Sequence, residues 1–262
     1  MIIKFILIAS LIFGSSLLSS PNPKFQHEAL YRSAQRDLTK KNYKRSLESF
    51  LKYIELTKKD PFHKQRLFWA IDHVSHIYLR INQNPEQAIK FFSSFEKDKR
   101  LTDEQLDIIE EWKTVSRDWQ KNNKKKIVEK NAEKIFQKGL AQYRTGIKKD
   151  NNKGNANLSL ASSYFSKLIF DHSDNKNVGR ALYIMGDIKS RLRTDIDYWG
   201  ENFYLKEVIN RYPHTKLSWK AWERLNEDTR LGYTGSSGDN TPPEMIYMLS
   251  RYKKRAALKK KK

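Results

Sequence analysis

The sequence predicts an all-α fold, an α-solenoid of stacked antiparallel helix pairs. Three observations lead there. After residue 24 no stretch alternates apolar and polar residues long enough to make a strand. Apolar residues step instead by three and four, the spacing of one face of a helix. Finally, one layout of helix, polar turn and helix is written twice, in "LIFDHSDNKNVGRALYIM" (168–185) and in "VINRYPHTKLSWKAWERL" (208–225). Aligning Ala181 with Ala221 pairs Phe165 with Leu205, Leu168 with Val208, Ile169 with Ile209 and Met185 with Leu225. A helix pair cannot bury its own apolar face, so it stacks on the next pair, and self-similarity at this period signals such an array.

In chain order, residues 1–20, "MIIKFILIASLIFGSSLLSS", open with Lys4, run apolar from Phe5 to Leu18 and end in small residues. This reads as a secretory signal peptide. An uncleaved anchor is the alternative, but basic residues from Lys24 to Lys41 follow on the side to be exported, against the usual charge bias. Residues 25–122 read as N-terminal helical repeats. Leu67, Ile71, Val74, Ile77, Tyr78 and Ile81 share one helical face, as do Ile108, Trp112, Val115 and Trp119. Asn84-Pro85-Glu86-Gln87, Thr102-Asp103-Glu104-Gln105 and Thr241-Pro242-Pro243-Glu244 each resemble a capped helix start. Residues 127–231 read as C-terminal helical repeats, interrupted by a polar break at Lys148–Asn157. A loop at 232–243 leads to a final helix and polybasic tail, 244–262. About eleven helices are expected.

The chain has 262 residues, of which 38% are hydrophobic and 12% aromatic, enough to build a core. Its net charge of +21 calls for anionic surroundings. The absence of cysteine excludes disulfides, thiol catalysis, thiolate metal sites and a lipidated N-terminal cysteine. From Arg251 the chain carries Lys253, Lys254, Arg255 and Lys259, Lys260, Lys261, Lys262 with no acid, a candidate contact for anionic lipid or peptidoglycan. A solubilising tail is the plain alternative. The stretch beyond Leu249 reads as charge more than core.

Candidate chemistry is sparse. His73 and His76 lie three apart on one helix, but no third ligand is spaced to complete a metal site, so surface or groove histidines are the better reading. Asp195 and Asp197 follow Thr194 at an expected helix start, where carboxylates offset the positive helix end. Glu110 and Glu111 are adjacent and point apart. "GSSGDN" (235–240) lacks the Lys-Ser/Thr and the preceding strand of a phosphate loop. We therefore expect no catalytic residues, cofactor or metal, and a non-enzymatic protein. Trp112, Trp119 and Trp222 fit core-facing stripes. Trp69, Trp199 and Trp219, with Tyr233 in the 232–243 loop, are the candidate partner-binding residues, since exposed aromatics anchor interfaces.

Residues 30–54 resemble the tetratricopeptide pattern. Leu30 and Ala34 take its first-helix positions, and Tyr43, Ser46 and Phe50 its second. Ala88 and Phe92 repeat a small–large pair, and Gly139, Ala161 and Phe165 fit a further unit. Tyr212-Pro213-His214-Thr215 is similar to the Tyr-Pro-Asp-Ser-type turn in periplasmic repeat proteins of the BamD and CpoB type. The resemblance spans roughly residues 28–230. It implies an exported scaffold or adaptor of a bacterial envelope that binds a protein or peptide in a concave groove, in outer-membrane assembly or division. The chain departs from BamD in lacking a cysteine, and from CpoB in lacking an N-terminal heptad coiled coil. The alternative is a basic helical-repeat protein that binds nucleic acid, which the charge permits and the leader disfavours.

Overall fold

A computed structural model describes residues 23–58, 64–123, 127–149, 152–192, 202–236 and 238–258. The expected leader, Asp195 and Asp197, Trp199 and Lys259–Lys262 lie outside these residues. Among the described residues the helices are α1 (Pro23–Thr39), α2 (Tyr43–Thr57), α3 (Lys64–His76), α4 (Pro85–Ser93), α5 (Asp103–Asn123), α6 (Ala132–Gly146), α7 (Asn155–Asp171), α8 (Val178–Leu192), α9 (Phe203–Arg211), α10 (Lys216–Leu231) and α11 (Pro243–Ala256). None of them is long and apolar enough to cross a membrane. Neighbouring helices pack in pairs, α1 with α2, α4 with α5, α6 with α7 and α9 with α10 among them. Second-neighbour contacts tie α8 to α10 and α9 to α11.

The helix starts follow their local chemistry. Asn84 accepts the Gln87 amide at 3.2 Å, with Pro85 in the first turn, where its missing N–H leaves no donor unpaired. Thr102 and Gln105 cap each other reciprocally: the Gln105 amide donates to Thr102 Oγ1 at 3.3 Å and the Thr102 amide to Gln105 Oε1 at 3.1 Å. The box expected at Thr241 does not form. Pro242 takes the cap position of α11, and the Thr241 amide turns back to Asp239 at 3.0 Å. Another box, not read from the sequence, joins Thr215 to Ser218 at the start of α10.

Two further departures concern continuity. The long helix expected from Leu67 to Ile81 loses its α-geometry after His76 and closes with a π-helical turn, Ile77–Ile81. Leu79 in that turn is as buried as the residues of the expected face, so this segment is covered on more than one side. The 232–243 loop contains a two-residue hairpin in which Thr234–Gly235 pairs antiparallel with Gly238–Asp239.

The core runs the length of the described chain. Every residue matched by the forty-residue offset is buried: Phe165 and Leu205, Leu168 and Val208, Ile169 and Ile209, Ala181 and Ala221, Met185 and Leu225. The first helices of the two stretches also end alike. His172 donates its amide to Leu168 O from φ −138°, ψ 49°, and Tyr212 donates to Val208 O from φ −124°, ψ 51°. Close helix approach is set by small residues. A Cβ on Gly139 would lie 2.9 Å from the Phe165 ring, and one on Gly154 only 2.1 Å from Gly146 O. Ser46, also buried, donates to Ala34 O at 2.9 Å and so joins α2 to α1. Each large apolar side chain removed from water in this way contributes about 1.5–3 kcal/mol.

Candidate functional site

Of the two histidines of α3, His76 is not on the surface, whereas His73 is half-buried. His76 is fully buried, with Nδ1 3.2 Å from Ser159 Oγ on α7 and its ring edge-on to Trp112 at 4.9 Å. His73 stacks on Phe50 at 5.0 Å. The reason is the same double coverage seen at Leu79, because helices pack on more than the single apolar face. Asp72, one turn before His76, places Oδ2 3.6 Å from His76 Nε2, beyond hydrogen-bond length. Burial raises the Asp72 carboxyl to about 7. Burial, then the Arg80 and His73 charges, push the His76 imidazole well below its usual range. Among the described residues no group of three His, Asp or Glu side chains could hold a metal ion. Glu110 and Glu111 do diverge. Glu110 meets Lys113 and Arg117, and Glu111 meets Lys149 at 2.6 Å.

A polar network crosses α6, α8 and α10. Asp187 Oδ2 accepts from Tyr143 Oη at 2.8 Å and from Arg191 Nε at 2.7 Å. Arg224 Nη1 lies 3.7 Å from Asp187 Oδ1, and its Nε lies 2.9 Å from Asp228 Oδ1. Ser190 donates to Asp228 at 2.6 Å. Burial, then the bond to Asp187, push the Tyr143 hydroxyl up. The network presents hydroxyl, guanidinium and carboxylate groups along a partly exposed line across three helices. Its within-helix pairs, Asp187 with Arg191 and Arg224 with Asp228, have readable spacings of four residues. Its cross-helix partners do not, and sequence reading missed them.

The aromatic candidates separate. Trp69 stands on α3 and is 57% exposed. Trp219 packs against the core beside Trp222, with ring centroids 4.8 Å apart, and donates Nε1 to Glu223 at 2.8 Å. Tyr233, 40% exposed, lies where the hairpin begins, and Arg230 pairs with Asp239 across that turn. Trp112 and Trp119 are buried, as their stripes predict, and Trp222 is partly buried.

The basic C-terminal residues have divided roles. Arg255 Nη2 donates to Asn210 O at 3.1 Å, and Lys253 Nζ sits 4.9 Å above the Trp222 ring. The stretch beyond Leu249 is therefore core as well as charge, contrary to the expectation from its composition. Ala256 is fully buried, Tyr252 packs on the core, and His214 holds the end of α11 through its amide to Arg255 O (3.2 Å) and its Nδ1 to Ala257 O (2.8 Å). The composition could not show this, because the contacts come from the Tyr212–Thr215 turn some forty residues earlier. Arg251 and Lys254 are exposed and line a cleft of about 550 Å³ between α9 and α11, with Tyr247, Met248 and Tyr252.

Comparison with protein-family models, with curated proteins and with solved structures gives no match.

Proposed function

We propose that this chain is a non-enzymatic scaffold of a bacterial envelope, exported by its apolar leader and built as a tetratricopeptide-like solenoid. It holds a protein or peptide partner against the surface formed by successive helices. Its basic exterior keeps it near anionic lipid or peptidoglycan. The resemblance to BamD- and CpoB-type proteins suggests outer-membrane assembly or division as the setting.

The observation that carries this reading is the agreement between the sequence offset and the packing. Residues forty apart are buried alike, and the turns between them begin with the same backbone geometry. Repeated units that contact mainly their neighbours generate long surfaces, and such surfaces suit extended partners. The network through Tyr143, Asp187 and Arg224 adds groups able to bond a peptide backbone.

The test is photocrosslinking in the native cell, with the reactive group placed at Trp69, Trp219, Tyr233 and, as a control, Lys176. A scaffold gives one discrete adduct in the envelope fraction from at least one aromatic site and none from Lys176. Recovery with nucleic acid in the cytosol, or adducts equally strong at Lys176, would overturn the reading.

A further inference from the structure

We propose that the exposed face of α11 at the mouth of the α9–α11 cleft, centred on Tyr247, Arg251 and Lys254, docks this protein onto an anionic phospholipid surface. The inference deepens the envelope placement above and relies on it only for the presence of such a surface.

The argument starts from which cations are already engaged. Lys253 is held over Trp222 and Arg255 bonds the Asn210 carbonyl, so both serve to fix α11 to the body. Arg251 and Lys254 do neither, and among the described residues no carboxylate pairs with them. They follow Tyr247 by four and seven residues, so the three side chains form one stripe along the helix. Inward, α11 buries Leu249 and Ala256 against the α9–α10 pair.

The exposed face of α11 is not uniformly polar. Here Tyr247, in line with the two cations, is 66% exposed, Ile246 on the flank of the helix is 45% exposed, and Leu258 just past its end is 52% exposed. Aromatic and aliphatic side chains set among lysines and arginines are the composition of a helix lying in a membrane interface. A soluble polyanion or free phosphate would satisfy Arg251 and Lys254 but leave the Tyr247 ring beside them in water. A bilayer accepts both, phosphates meeting the cations while the aromatic ring enters the headgroup boundary. The sequence beyond Leu258 adds four lysines of the same sign.

Because the chain has no cysteine, Tyr247→Cys creates a single labelling site for an environment-sensitive fluorophore. The full-length chain is used, so the label reports contact of α11 itself even where the N-terminal segment also binds vesicles. On vesicles of phosphatidylcholine with phosphatidylglycerol the emission should shift to the blue, while phosphatidylcholine alone should leave it unchanged. Combining Arg251→Glu with Lys254→Glu should weaken the response about tenfold or more. Both residues are exposed, and far-UV circular dichroism checks that the variant remains folded. A label at Lys176→Cys should not respond. The proposal fails if the Tyr247→Cys label is silent on phosphatidylglycerol, or if the Lys176→Cys label responds equally. It also fails if inorganic phosphate or polyglutamate alone reproduces the shift, which would mean an anion site rather than a bilayer surface. A silent label leaves the partner-crosslinking result standing, and failed crosslinking leaves the vesicle result standing.

Discussion

Asp72 is a carboxyl group placed where its charge is not compensated. His76, one turn on, is itself held neutral by burial, and the two do not approach within hydrogen-bond distance. The folded-state value of about 7 lies above the ordinary carboxylate value, so the folded chain keeps a proton that the unfolded chain has already lost. Stability then falls as pH rises from about 4 to about 7, and the penalty is complete above that window. Asp72→Asn should therefore raise the melting temperature more at pH 8 than at pH 5. Equal gains at the two pH values, or a loss at pH 8, would show that the charged form is stabilised after all. Little of this was legible in the sequence. "IDHVSH" shows two histidines and an aspartate at helical spacing but gives no sign that α7 and Trp112 close over His76. By contrast, Ala181 and Ala221 were legible as buried positions, because a small residue recurring at a fixed offset within an apolar stripe marks a place where helices approach closely.

At the scale of elements, caps explain most of what could be read. Thr102 with Gln105, and Asn84 with Gln87, act through bonds to residues within one turn, so their pattern is local. The Thr241 box failed because a competing local acceptor, the Asp239 carboxylate, takes its amide. α11 shows the opposite limit. Its composition is mostly charge, yet its last turn is held by His214, Ser218 and Asn210, which belong to the α9–α10 pair. Trp222 Nε1 also donates to Leu249 O at 3.1 Å. Truncation after Leu249 should consequently lower the melting temperature, since it removes Tyr252, Ala256 and every one of these last-turn bonds. Truncation after Leu258 should not, because those contacts are all retained. Differential scanning calorimetry on the two truncations separates the outcomes, and equal melting temperatures would mean that α11 is held only through its first turns.

For the whole molecule, burial is graded from the middle outward. α7 buries an unbroken run from Ala156 to Phe165 and packs against α5, α6, α8 and the π-helical turn after α3. Its four serines permit close approach, and Ser162 and Ser163 satisfy their hydroxyls on Ser159 O. The all-round burial was not readable as amphipathic spacing, because a helix covered on every face shows no single apolar stripe. α11, in contrast, buries only Leu249 and Ala256 and packs on α9 and α10. In a chain whose contacts are mainly between neighbouring helices, opening an end breaks one set of contacts, whereas opening the middle breaks several. Amide hydrogen exchange under native conditions should therefore be fastest in α11 and slowest in α7, with α8 and α9 between them. Adding denaturant below the global transition should accelerate α11 first and leave α7 exchanging at the rate of complete unfolding. Uniform protection across α7 to α11 would show instead that the C-terminal half opens as one cooperative block, its end helix bound as firmly as its centre.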